Sequence, residues 1–94
     1  ASKAAIKAMT QTVAQNYAKQ GILAYTIAPG IVKTRMSEQA AILRGGEDKM
    51  KANLVMGELV PPTEIANLSV MLASGKCRHL TGATLDINGA SYIR

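Results

Sequence analysis

Ile22-Leu23-Ala24-Tyr25-Thr26-Ile27-Ala28-Pro29-Gly30-Ile31-Val32-Lys33-Thr34 is the stretch on which the reading of this chain turns. Residues 22–28 form a near-continuous apolar run rather than an alternating one. Strands of that kind are buried on both faces, as in parallel sheets with helices above and below, so the run predicts an α/β fold. Pro29 fixes its own φ and ends the strand, while Gly30 removes a side chain so that a flat ring can come close. Ligands in open α/β sheets bind beyond the carboxyl ends of strands, which makes residues 29–34 a candidate binding loop. Taken alone, Pro29-Gly30 also fits a plain turn, and Thr34 fits an amino-terminal cap for a following helix.

On the amino-terminal side, residues 1–20 carry helix formers, with Ile6, Met9, Val13 and Tyr17 at spacings that place them on one face. A second face is small: Ala1, Ala4, Ala5 and Ala8 let another backbone approach closely. Two such faces imply contact on two sides, and Gly21 suits the left-handed position after the helix. On the carboxyl side, residues 36–56 read as a helical flap broken at Arg44-Gly45-Gly46. Pro61-Pro62-Thr63-Glu64 starts a cleaner helix, with Thr63 the candidate cap, a buried stripe of Ile65, Leu68, Met71 and Leu72, and an end at Ser74-Gly75. A shorter strand is predicted at 83–87, followed by the turn-like pair Asn88-Gly89. Two strands cannot bury residues 22–28 on both sides, so the parent sheet is expected to have more.

Bulk properties agree. The 94 residues are 48% hydrophobic but include no Trp, no Phe and only three Tyr. A chain this short usually needs disulfides, a metal or a partner. Cys77 is single and His79 has no second ligand at metal spacing, so neither a disulfide nor a metal is expected. The apolar surface must be covered by protein outside the chain. The net charge of +5 comes from basic residues spread from Lys3 to Arg94, without a dense block or interleaved aromatics, which argues against a nucleic-acid partner. Neither a signal-peptide pattern nor an apolar run of about 18 residues is present, so no membrane span is expected and a cytoplasmic location is the default. No Met and no capping residue precede the first helical pattern, so the chain is expected to begin inside an element.

One further motif gives these features an order. Ala1-Ser2-Lys3 reads as the tail of a Tyr-x-x-x-Lys motif whose tyrosine lies upstream of residue 1. The alanine-rich helix opened by Lys3, the apolar run 22–28, the segment Pro29 to Thr34, Leu80-Thr81-Gly82 before the second strand and Asn88-Gly89 after it follow in a familiar order. The chain thereby resembles the carboxyl-terminal portion of a classical short-chain dehydrogenase/reductase over nearly all of its length. The resemblance implies a doubly wound, Rossmann-type parallel sheet, of which residues 1–94 are the carboxyl-terminal part, with a substrate lid at about 36–60. It also implies an oxidoreductase parent that uses NAD or NADP and transfers hydride to or from an alcohol/carbonyl substrate. The chain alone would lack the catalytic Tyr, the catalytic Ser and the Gly-rich cofactor loop, and would be inactive.

Within the resemblance, Lys3 holds the nicotinamide ribose hydroxyls and lowers the tyrosine pKa. A phenol titrates near about 10, and a cation one helical turn away favours the phenolate. Pro29 and Gly30 shape the cofactor loop, the Val32 backbone pairs with the carboxamide, and the Thr34 hydroxyl contacts the carboxamide or pyrophosphate. Ser2 is not the family's catalytic serine. Asn88-Gly89-Ala90 departs mildly from the Asp-Gly-Gly common at this point. A homo-oligomer, dimer or tetramer, is expected through the small face of the first helix and through the last helix with the terminal strand, whose segment adds Leu80, Leu85, Ile87, Tyr92 and Ile93. Two rival readings are a catalytically degenerate member acting as a binding or scaffold protein, and a standalone helical interaction module.

Overall fold

A computed structural model of the chain describes residues 2–43 and 45–93. Ala1, Arg44 and Arg94 lie outside the described residues, and with them the Ala1 end of the small face and the Arg44 part of the predicted break. The elements run α1 (Ser2–Tyr17), β1 (Thr26–Pro29), α2 (Arg35–Leu43), α3 (Glu47–Ala52), α4 (Pro62–Ala73) and β2 (Thr84–Ile87), with short 3-10 turns at Ala18–Gln20 and Arg78–Leu80. The chain divides into two compact units, Ala1–Ala28 with Leu68–Leu85 and Pro29–Asn67 with Asp86–Arg94.

In the first unit, α1 passes into the turn at Ala18–Gln20 and stops at Gly21, whose φ of 83° is the left-handed conformation that glycine adopts without strain. The helix turns a different face inward from the one its apolar spacing predicts. Ala14 is buried, Lys7, Thr10 and Val13 are half-buried, and Ile6, Met9 and Tyr17 remain exposed at 51%, 62% and 45%. A small contact decides this: a Cβ at Gly82 would lie 3.4 Å from the Ala14 Cβ, so α1 approaches the chain before β2 through a small residue.

The apolar run is only partly strand. β1 begins at Thr26, and residues 22–25 continue it through a different device, in which Thr81 Oγ1 accepts the Ala24 N–H at 3.0 Å and the Ala24 carbonyl accepts the Gly82 N–H at 2.7 Å. A hydroxyl thus stands in for one rung of the ladder. The Thr26 N–H donates to the Ala83 carbonyl in the first unit and the Gly30 N–H to the Ile87 carbonyl in the second, both at 3.0 Å. The equal offset of the two bonds makes the pair parallel. Among the described residues the sheet has these two strands, β1 beside β2. Residues 23–28 are accordingly half-buried and Ile22 is 47% exposed, where the sequence predicts burial on both faces. Leu23, Tyr25 and Ile27, alternate positions on one face, line an open cleft with Ser69, Leu72 and Ala73 of α4.

α4 starts at Pro62 rather than after a Thr63 cap. The proline takes the first helical position, where its missing N–H is no loss, and the Glu64 N–H reaches the Pro61 carbonyl at 3.1 Å. Its expected stripe holds: Leu72 is buried, and Ile65, Leu68 and Met71 are half-buried. In the second unit, Ala41 and Leu59 are buried. The flap breaks between α2 and α3, where Gly45 and Gly46 have φ of 96° and 104°. Glu47 and Lys51 face each other across one turn of α3 at 3.5 Å.

Candidate functional site

Pro29, Gly30, Val32 and Thr34 lie together in the second unit, on the segment leaving β1, whereas Lys3 lies in the first turn of α1 in the first unit, exposed to solvent. Pro29 is the exposed last residue of β1.

Gly30 has a reason of its own to lack a side chain. A Cβ there would stand 2.8 Å from the Asn88 Cβ, closer than real Cβ atoms come to another heavy atom, and a tight 3.0 Å from the Asn88 Cα. The parallel neighbour, independently of any ligand, demands glycine.

Two residues on, the chain is gripped from one side. The Val60 N–H donates to the Ile31 carbonyl at 2.8 Å and the Lys33 N–H to the Val60 carbonyl at 2.9 Å, forming a parallel bridge between Val32 and Val60. Successive backbone groups of an extended segment point to opposite sides, so with Ile31 and Lys33 bonded to Val60, the N–H and C=O of Val32 face the other way. That edge offers one donor and one acceptor side by side, the pattern a primary carboxamide complements.

Thr34 is the amino-terminal cap of α2, as one sequence reading has it. Its Oγ1 accepts the Ser37 N–H at 3.2 Å, its own N–H donates to Ser37 Oγ at 2.9 Å, and the Ser37 hydroxyl donates to the Thr34 carbonyl at 2.8 Å. This is a reciprocal cap with Ser in place of the usual Glu or Gln. The Thr-x-x-Ser spacing is the sequence signal that marks Ser37. Capping uses a lone pair of Thr34 Oγ1 and leaves its hydroxyl hydrogen to donate elsewhere. The structure also brings in Asn88 and Ser91, which no sequence pattern assigned to this region: the Asn88 amide donates to the Tyr92 carbonyl at 2.9 Å, and Ser91 Oγ accepts the Val55 N–H at 3.3 Å.

No helix in the described residues is long and apolar enough to cross a membrane. Among those residues no group of three or more His, Cys, Asp and Glu stands together as a metal site would require.

Comparison with known proteins gives one consistent picture. The profile of the family described as Enoyl-(Acyl carrier protein) reductase matches residues 1–90. The chain is 34% identical over 93 residues to 3-oxoacyl-[acyl-carrier-protein] reductase FabG of Vibrio harveyi, covering 99% of this chain and 37% of that protein. It is 36% identical over 98 residues to the oxidoreductase UcpA of Escherichia coli (strain K12), covering 98% of this chain and 37% of that one. It thus spans little more than a third of the length of the curated relatives it matches. Among solved structures, a short chain dehydrogenase family protein from Francisella tularensis superposes with a TM-score of 0.83 at 29% identity, over 96% of this chain and 41% of that one. A 4-hydroxyisoleucine dehydrogenase complexed with NADH superposes with a TM-score of 0.81 at 27% identity, over 94% of this chain and 36% of that one.

Proposed function

Because the chain belongs to the short-chain dehydrogenase/reductase family, with its α/β Rossmann-like fold, we propose that it is the carboxyl-terminal part of an NAD(P)-dependent oxidoreductase acting on an alcohol/carbonyl pair. The observation that carries the proposal is the outward edge of Val32, held by the bonds of its two neighbours to Val60. A bound nicotinamide cofactor supplies or accepts the hydride. The Val32 N–H and C=O orient the carboxamide, Thr34 donates its free hydroxyl hydrogen while still capping α2, and Pro29 and Gly30 fix the path of the loop. Lys3 contributes a positive charge to the ribose hydroxyls and to a tyrosine one helical turn before it in the longer protein. That charge draws the phenol pKa toward working pH, where a proton donor is most effective. The flap of α2 and α3 excludes water as substrate binds. The longer protein is cytoplasmic and homo-oligomeric, a dimer or tetramer in which the exposed Ala4, Ala5 and Ala8 face meets a second copy, and the 94 residues alone are inactive.

The backbone assignment is testable because proline deletes one donor without deleting the bridge. In the longer protein, Val32→Pro removes the outward N–H and spares both bonds to Val60. Its Kd for NADH or NADPH should rise about tenfold, the equivalent of one hydrogen bond, while Val32→Ala binds as the parent does. Equal cofactor affinity in the proline and alanine variants, with circular dichroism unchanged, would refute the contact.

A further inference from the structure

Three contacts in the second unit meet at the turn that follows β2. At one end, Asn88 packs against Gly30 so closely that a Cβ on the glycine would fall 2.8 Å from the Asn88 Cβ, and the Gly30 N–H is bonded to the Ile87 carbonyl. At the other end, a Cβ on Gly89 would fall 2.9 Å from the Met56 Sδ, and Ser91 Oγ accepts the Val55 N–H at 3.3 Å. The turn is itself tied: the Ser91 N–H donates to the Asn88 carbonyl at 3.2 Å and the Asn88 amide to the Tyr92 carbonyl at 2.9 Å. It also holds Ala90 at a φ of 64°, the left-handed region that alanine avoids. The turn is thus in contact with the loop on one side and with the flap base on the other, so a change in either reaches it through a contiguous set of contacts.

We propose that the turn 88–91 is a brace through which the loop 29–33 and the base of the flap at 55–56 move together, with Ser91 as its positioning residue. The inference rests on the proposed function for the role of loop 29–33, but the coupling itself is a property of the fold. Ordering of the loop around a nicotinamide ring would then draw in the flap base through Asn88, Gly89 and Ser91, so the lid closes over a loaded site rather than an empty one. Such coupling is reciprocal, and closure on substrate would tighten the loop in turn. Neither Ser91 nor Met56 has to touch the reacting atoms.

Hydrogen exchange on the longer protein tests this without cofactor. Ser91→Ala should speed exchange of the Val55 amide about tenfold, a local consequence of the lost acceptor, and should also speed exchange of the Gly30 and Lys33 amides several-fold. The Gly21 amide, in the first unit, should stay as slow as in the parent, and Ser91→Thr should restore all three affected amides. Acceleration confined to Val55, or acceleration of Gly21 to the same degree, overturns the brace. A parallel titration with NADH and NADPH separates this result from the function: failure of the parent to bind either one overturns the proposed function, while the cofactor-free exchange still decides the brace. With substrate, Ser91→Ala should raise KM about threefold or more at nearly unchanged kcat; an equal fall in kcat with KM unchanged counts against a positioning role.

Discussion

Thr34 performs two tasks with one oxygen, and they can be separated by substitution. Its lone pair caps α2 while its hydrogen is free to donate, so Thr34→Ala should cost about 1 kcal/mol of stability from the lost cap and should also weaken cofactor binding. Thr34→Asp keeps the cap through its carboxylate but has no hydrogen to give. Urea denaturation and cofactor titration of both variants in the longer protein should therefore show the stability loss in the alanine variant alone and the binding loss in both. Ala90 presents the opposite case, a residue whose backbone is ill-suited to its place. Glycine there relieves a left-handed strain of roughly 1–2 kcal/mol and gives back roughly 0.4–1 kcal/mol through unfolded-state entropy. Ala90→Gly should accordingly raise the urea midpoint by a small margin, and an unchanged or lower midpoint would show that the turn tolerates alanine without strain. At this scale the sequence was informative where a residue type has one physical use: Thr before a helix and Gly21 after one were both legible. Asn88 against Gly30 was not, because 58 positions of chain separate a contact that only the strand register creates.

Among the elements, the flap and α4 follow their local signals. Adjacent glycines break the flap at positive φ, and Pro62 opens α4 with Glu64 in its first turn. The run 22–28 shows where such signals stop. Apolar content predicted a strand from Ile22, yet the ladder begins at Thr26, and the preceding residues are held by the Thr81 hydroxyl. Hydrophobicity reports burial, whereas strand length depends on which partner backbone is in register, and that partner lies near residue 81. Thr81→Val keeps the shape and removes the acceptor. It should cost about 1–3 kcal/mol, because the half-buried Ala24 N–H loses its partner, and should accelerate exchange at Ala24 by at least tenfold. The inward face of α1 differs from the one its periodicity predicts for a related reason. Periodicity located a large apolar stripe, but the neighbour at Gly82 admits only a small side chain, so the stripe of Ile6, Met9 and Tyr17 is left outside.

For the whole molecule, the decisive fact is how little is buried. Among the described residues Ala14 and Leu72 form the core of the first unit and Ala41 and Leu59 that of the second, and two of these four are alanines. Against this stand Met36, Ile42, Leu43 and Ile93, each more than three-quarters exposed. Ordering each residue costs roughly 1–2 kcal/mol of backbone entropy, which cores of that size do not offset. The 94 residues expressed alone should therefore lack a cooperative urea transition and bind a hydrophobic dye, with helical circular dichroism retained in part. A sharp transition from a monomer would show that the chain stabilises itself. That the fold class could nevertheless be read from the sequence reflects its local character: a parallel-type apolar run, a helix on either side of it and a loop after it are recognisable without the rest of the sheet.

The close packing of Gly30 on Asn88 also governs which sequence changes can accompany one another. In a library varied at both positions, Gly30→Ala should be rejected beside Asn88, since the new methyl would meet the Asn88 Cβ at 2.8 Å. Beside Asn88→Gly that obstacle disappears, leaving the backbone Cα at 3.0 Å, a contact that a shift of a few tenths of an ångström resolves. The fitness of a substitution at residue 30 is thus written partly at residue 88, and homologues that drift at one position should be found to have drifted at the other.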